Sequence, residues 1–245
     1  MSPMMRIDII TIFPDFVNAA LSYSIIGRAA DKGIIQARAH DLRDYTHDAH
    51  RTVDDSPYGG GPGMVMKPEP FFEAVEAIAE PGQAHVVLLT PQGRTFDQNM
   101  AQALAQRPQL LLLCGHYEGV DERVATLAHE EISLGDFILT GAELPALVVA
   151  DAVVRLLPGV LGNEASPLDE SFSGLLEYPQ YTRPPEYRDL TVPEVLTGGH
   201  HEQVRRWRRL EALRRTLQRR PDLLATTELS KEDWRLLREL QSPED

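Results

Sequence analysis

Leu110-Leu111-Leu112-Leu113-Cys114 is an unbroken apolar run of strand length, and the chain has to cover both of its faces. A strand points alternate side chains to opposite sides, so one that is apolar at every position has no face left for water. It belongs in a parallel sheet with helices on either side. His85-Val86-Val87-Leu88-Leu89-Thr90 reads as a neighbouring strand and Asp97 to Gln106 as a short helix between the two, which makes residues 85 to 114 a βαβ unit. The same reasoning predicts strands over Ile7 to Phe13, where Pro14 stops the run, and over Ile34 to His40. Helical spacing begins at Asp15, recurs in Phe71, Phe72, Val75 and Ile78 of the segment Pro70 to Ala79, and runs from Ala142 to Leu157. The last of these is apolar almost all round, as suits a helix held between the sheet and a second surface.

The texture then changes. Gly159 to Pro185 mixes Gly, Pro, Ser, Asp and Glu without sustained periodicity and reads as a linker, flexible by composition. A linker of that length is usually functional or disordered. Beyond it, Val204, Trp207, Leu210, Leu213 and Leu217 fall on one face of a helix from His201 to Arg219. A further helix from Ser230 to Gln241 opens on a capping box of Ser230 and Asp233 and is predicted to bury Trp234, Leu237 and Leu240. The expected organisation is an α/β domain over 1–160, a linker over 161–186 and a small C-terminal helical domain over 187–245.

Charge separates these parts. The whole chain of 245 residues carries a net charge of -13, which by itself argues against binding a polyanion. Yet between Arg183 and Arg220 arginines outnumber acids by ten to five, so an acidic body bears a basic arm. Apart from Lys32, Lys67 and Lys231 the basic residues are all arginine, the side chain suited to planar, two-pronged contacts with phosphates and base edges. One cysteine, Cys114, cannot build a disulfide framework or a thiolate metal site. No apolar stretch reaches the roughly 18 residues of a membrane span. These features lead to the expectation of a reduced, soluble, cytoplasmic protein.

Tyr58-Gly59-Gly60-Gly61-Pro62-Gly63 is the densest glycine cluster, but no Gly-Lys-Ser/Thr follows and no strand feeds it into a helix, so it does not match a phosphate-binding P-loop. It reads as a tight loop whose backbone approaches something closely. His47 and His50 before it lack a third strong metal ligand. Three segments share another format, a strand that ends in a glycine turn: Leu89 to Gly93, Cys114 to Gly119 and Leu134 to Gly141. Ligands of open α/β sheets bind outside the carboxyl ends of the strands. Together these turns offer backbone groups around an apolar slot, better matched to a purine and its sugar than to a bare phosphate.

Read in order, Tyr58 to Met64, Pro91-Gln92-Gly93, Cys114 to Arg123, Gly135-Asp136, Glu143-Leu144-Pro145, Pro158 to Gly162 and Tyr181-Thr182-Arg183-Pro184 resemble the bacterial tRNA (guanine-N1)-methyltransferases. The likeness continues through Gly199-His200-His201 and Arg205 to Arg208 and ends at Arg219-Arg220-Pro221. It implies the SPOUT class, in which a mainly parallel sheet ends in a deep trefoil knot that holds S-adenosylmethionine. It also implies a homodimer with an active site at the subunit interface, methylation of N1 of the guanosine 3′ to the anticodon (position 37) in tRNA, and a requirement for Mg2+.

Carried over by position, the resemblance assigns the cofactor to Leu89, Thr90 and Pro91; to Gly115, Tyr117, Glu118 and Gly119; and to Ser133, Leu134, Gly135, Asp136, Phe137, Ile138, Leu139, Gly141 and Pro145. The family usually has a second glycine where this chain has Ala142. Its catalytic arginine corresponds to Arg155. An arginine on an otherwise apolar helix points to function independently of the family, because burying it without an anionic partner is costly. Family members place an aspartate directly before Ser-Phe, whereas this chain reads Asp169-Glu170-Ser171-Phe172. Glu170 takes the general-base position in a gap-free alignment, with Asp169 one residue earlier.

Such a carboxylate would remove the N1 proton of guanine, Arg155 or a magnesium ion would stabilise charge spreading to O6, and the methyl would pass in line. The linker is expected to order over the site when tRNA binds. Arg183, Arg205, Arg206, Arg208 and Arg209 are the expected tRNA contacts, meeting phosphates without reading sequence, unless that helix face is merely solvated. Asp54 is the candidate for a guanine edge, read after the base is unstacked. Ribose 2′-O-methylation on a related knotted fold, or a non-catalytic RNA-binding module, are the alternatives.

Overall fold

Residues 109–114, every one of them buried, form the central strand of a five-stranded parallel sheet. The computed structural model describes residues 5–162, 171–172 and 174–241. In chain order the first part contains β1 (Met5–Thr11), α1 (Pro14–Leu21), α2 (Ser24–Asp31), β2 (Ile35–Asp41), β3 (Asp54–Asp55), β4 (Val65–Met66) and α3 (Pro68–Ile78). It continues with β5 (Ala84–Thr95), α4 (Gln98–Leu104), β6 (Gln109–Cys114), β7 (Glu130–Ser133) and α5 (Glu143–Val154). The sheet order is β2-β1-β6-β5-β7, so the strand with no polar face sits in the middle.

Alternation along β6 explains its composition. Leu110, Leu112 and Cys114 enter one apolar cluster with Ile7 and Ile9 of β1 and with Ala146, Val149, Ala150 and Val153 of α5. Leu111 and Leu113 enter the other, with Ile10, Phe71 and Val75. Each buried leucine contributes about 1.5–3 kcal/mol of transfer free energy, so both helical layers are needed to hold the strand in place.

The expected elements are present, and their ends have local causes. Pro14 both stops β1 and occupies the first turn of α1, where its missing N–H costs nothing. Asp97 caps α4 by accepting from the Met100 N–H at 2.8 Å. One expectation is corrected. The strand predicted to end at Thr90 runs to Thr95: it pairs with β7 up to Leu89, bulges, and pairs again from Arg94 with a shifted register. Gly93 permits this, because a β-carbon there would collide with the backbone of Glu131 and Ile132.

By its contacts the chain divides into residues 1–164 and 165–245. The second unit contains β8 (Glu186–Tyr187), β9 (Leu190–Thr191), α6 (Glu194–Thr197), α7 (His201–Arg219), α8 (Pro221–Thr226) and α9 (Lys231–Gln241). Leu175, Ala212, Leu213, Leu236 and Leu237 form its core, with Tyr178 packed against them. The capping box is present: Ser230 N–H donates to Asp233 Oδ2 at 2.8 Å and Asp233 N–H to Ser230 Oγ at 3.1 Å. The buried face of α9 is nevertheless rotated from the expected one. Asp233 points inward to meet Arg209, which turns Trp234 out to 53% exposure and brings Leu236 in.

Candidate active site

The carboxyl ends of β5, β6 and β7 border a cavity of about 490 Å³, within the range of small-ligand sites. Three pieces of chain build it. The β5 bulge contributes Thr90, Pro91 and Gln92, the turn after β6 contributes residues 115–120, and the connection from β7 to α5 contributes Ser133 to Gly135 and Phe137 to Ala142. Parallel pairing of the three strands brings these distant segments to one edge.

Backbone hydrogen bonds fix their shapes. In the second turn Tyr117 adopts a positive φ of 59° and Gly119 one of 123°, and the Gly119 N–H donates to the His116 carbonyl at 3.1 Å. An aromatic residue in left-handed backbone is uncommon and requires support. The β3–β4 hairpin supplies it: Glu118 N–H donates to the Met64 carbonyl at 3.1 Å and Met66 N–H to the Gly119 carbonyl at 3.0 Å. The glycine-rich loop therefore braces the cleft. Gly63 lies so near Glu118 that a β-carbon would collide with its side chain. In the third segment Gly135 has a φ of 142° and its N–H donates to Ser133 Oγ at 3.2 Å. Ala142 N–H then donates across to the Gly115 carbonyl at 3.0 Å, which joins the second and third turns.

The lining is apolar through Leu88, Leu89, Leu134, Ile138, Leu139 and Pro145, and polar through Thr90, Gln92, Ser133 and Thr140. Its ionisable side chains, apart from His116 and Tyr117, are Glu118, Glu122 and Glu131, and among the described residues no Lys or Arg lines it. That electrostatic character favours a cationic ligand and opposes a polyphosphate. No group of three or more His, Cys, Asp or Glu able to hold a metal occurs among the described residues. Cys114, beneath the cleft, is buried and its thiol pKa is pushed well up by that burial and by the Glu143 charge, so it is no nucleophile.

Every expected cofactor residue lines this cavity except Asp136. His116 and Thr140 fall within the expected loops 115–119 and 133–141, whereas Gln92, Val120, Glu122, Ala125, Glu131, Ile132 and Ala142 line the cavity outside them. Gln92 and His116 lie inside recognised motifs and were legible there. Glu122 lies inside the motif from Cys114 to Arg123 as well, and Glu131 enters only through the packing of strands and turns. Arg155 is half-buried at the end of α5, where its N–H caps the helix by donating to the Asp151 carbonyl at 3.1 Å. Asp54 is half-buried in β3, paired with Met66 in the bracing hairpin. Asp169 and Glu170 lie outside the described residues.

In the second unit the arginines differ in what they already do. Arg209 grips both oxygens of Asp233, at 2.6 and 2.9 Å, and Arg206 reaches Glu239 at 2.7 Å. Both tie α7 to α9. Arg205 pairs with Glu202 one turn away, Arg208 lies 4.9 Å over the Tyr178 ring, and Arg183 is exposed.

The family model described as tRNA (Guanine-1)-methyltransferase TrmD matches residues 5–226. Among curated relatives, a tRNA (guanine-N(1)-)-methyltransferase of Dehalococcoides mccartyi is 55% identical over 245 residues, covering 98% of this chain and 99% of its own. Proteins of the same name from Dictyoglomus turgidum and Moorella thermoacetica are 53% and 55% identical, covering 97% and 98% of this chain and 97% and 98% of their own.

Proposed function

The chain belongs to the tRNA (guanine-1)-methyltransferase family, and from that premise we propose that it methylates N1 of the guanosine at position 37 of tRNA using S-adenosylmethionine. The observation that supports this reading most directly is the cleft, built of glycine turns, lined by three carboxylates and by no Lys or Arg among the described residues. S-adenosylmethionine, when bound, supplies an electrophilic sulfonium methyl. The residues present fit it: Leu134, Ile138 and Leu139 offer apolar surface to a purine, the turns offer backbone donors and acceptors, and Glu118, Glu122 and Glu131 favour a cation. Methyl transfer removes that positive charge, so the same carboxylates favour the donor over its spent product.

Guanine N1 becomes a nucleophile only when its proton leaves, and Asp169 or Glu170 takes it. Arg155 stabilises the negative charge that develops on O6. Asp54, on the hairpin that braces the cleft, holds a guanine edge. Among the described residues no group of three or more His, Cys, Asp or Glu gathers to hold Mg2+. The trefoil knot belongs to the same proposal, and what supports it is the contact of the third segment with the second, where the Ala142 N–H donates to the Gly115 carbonyl. So does a homodimer: Phe16, Leu144 and Val148 form apolar surface that is half exposed on helices next to the cleft. No helix among the described residues is long and apolar enough to cross a membrane.

Incubating the full chain with labelled S-adenosylmethionine and unmodified tRNA, followed by nucleoside mass spectrometry, tests the proposal. Label in 1-methylguanosine is the expected result. Label in a 2′-O-methylated nucleoside, or none at all, overturns it.

A further inference from the structure

Beneath the cleft, the Nδ1 atom of His116 is buried and has no hydrogen-bond partner among the described residues. It faces Glu143 Oε2 at 3.8 Å, too far for a hydrogen bond. Glu143 is itself buried, and its other oxygen accepts from Thr11 Oγ at 2.8 Å. Thr11 is fully buried and is fixed in turn by the Phe13 N–H, which donates to its hydroxyl at 2.9 Å. The histidine ring stands edge-on to Phe13, 5.2 Å between centroids, and to Tyr117, 4.9 Å. Gly141 lies between the two groups, where any β-carbon would collide with both His116 Nδ1 and Glu143 Oε2.

We propose that His116 and Glu143 are a positioning pair that latches the cleft. Resting on the reading that the cleft takes S-adenosylmethionine, the inference is that closure of the turns around the donor brings Nδ1–H into donation to Glu143 Oε2. An unmade hydrogen bond between two buried groups is unfavourable, and here a movement of about 1 Å completes it. The two groups sit on the second and third turns, His116 in one and Glu143 directly after the other, and those turns already share the bridge between His116 and Gly141. Making the bond therefore favours the arrangement that encloses the ligand, and the ligand favours the bond to the same extent. Thr11 orients the carboxylate and anchors the latch to β1. Neither His116 nor Glu143 needs to touch the reacting atoms.

An asparagine amide nitrogen falls near the place of Nδ1, whereas a glutamine reaches toward Nε2, so the two amides separate the latch from general polarity. The experiment measures the dissociation constant of S-adenosylmethionine by calorimetry, and kcat with saturating cofactor, for the full chain and for His116→Asn, His116→Gln and Thr11→Val. Expected are a constant within about twofold of wild type for His116→Asn and one weakened about tenfold for His116→Gln and for Thr11→Val, with kcat changed less. Equal constants for the Asn and Gln variants overturn the latch, and so does an unchanged constant for Thr11→Val, which also decides the matter if Gln at position 116 prevents folding. Wild-type protein that binds no S-adenosylmethionine overturns the cofactor reading instead.

Discussion

Asp233 is nearly closed to water, with 4% of its side chain exposed, yet it is charged. The two-pronged hydrogen bond from Arg209 outweighs the cost of burial and, with Ser230, lowers its pKa from 3.8 to about 2. A carboxyl held low in the folded state contributes stability above its unfolded value, and that contribution is lost as the pH falls through the folded one. The pKa difference corresponds to about 2 kcal/mol at neutral pH, disappearing between about pH 4 and pH 2. Both tryptophans, Trp207 and Trp234, belong to this unit, so their fluorescence follows its unfolding. Asp233→Asn is expected to lower the unfolding free energy by about 2 kcal/mol at pH 7, with the gap to wild type closing toward pH 2. A gap that stays constant with pH would refute the ion pair's role. The capping box was legible in the sequence because it is local; that its acid also binds Arg209, 24 residues earlier, was not.

Among the elements, α5 shows how composition and packing divide the information. Its apolar residues leave almost no polar stripe, which placed it against the sheet but did not say which side faced it. Ala146, Val149, Ala150 and Val153 meet the sheet, while Leu144 and Val148 point outward. The dimer proposed above buries that outward side. Replacing Leu144 and Val148 together by Glu should therefore yield monomers by sedimentation velocity, since each new charge would be desolvated in the interface. A dimer that survives both substitutions would place the interface elsewhere. The β5 strand gives the opposite lesson: its proline and glycine read as a terminus, and the sheet carries it through as a bulge because β7 offers a second register.

For the molecule as a whole, the proposed function makes the separation of charge govern how it would meet RNA. With a net charge of -13 the chain repels a polyanion on average, so under the proposed function affinity for tRNA comes from its basic stretch and weakens with salt. Arg205 and Arg208 are exposed and make no hydrogen bond to α9 among the described residues, unlike Arg206 and Arg209. Replacing both by Ala is expected to reduce the slope of log affinity against log salt by about 1 to 2 while leaving affinity for the methyl donor unchanged. Arg209→Ala should instead destabilise the helical unit by about 3 kcal/mol or more, because it strands the buried Asp233 charge. If the salt slope proves unaltered in the double variant, the phosphates are bound elsewhere.

What the sequence determined by itself is whatever depends on near neighbours: the two-sided strand at Leu110 to Cys114, the proline and aspartate that begin helices, the reciprocal cap at Ser230, and glycine turns ordered along the chain as in one family. What the tertiary structure decided is which of those pieces face each other. Parallel strands carried Thr90, Gly115 and Ser133 to one edge, the glycine-rich hairpin became the brace of the Glu118 turn, His116 met Glu143, and Arg209 was taken up by Asp233. The physical reason is that periodicity records whether a position prefers water or the core, whereas the partner of a polar group is set by long-range register, which leaves no local trace.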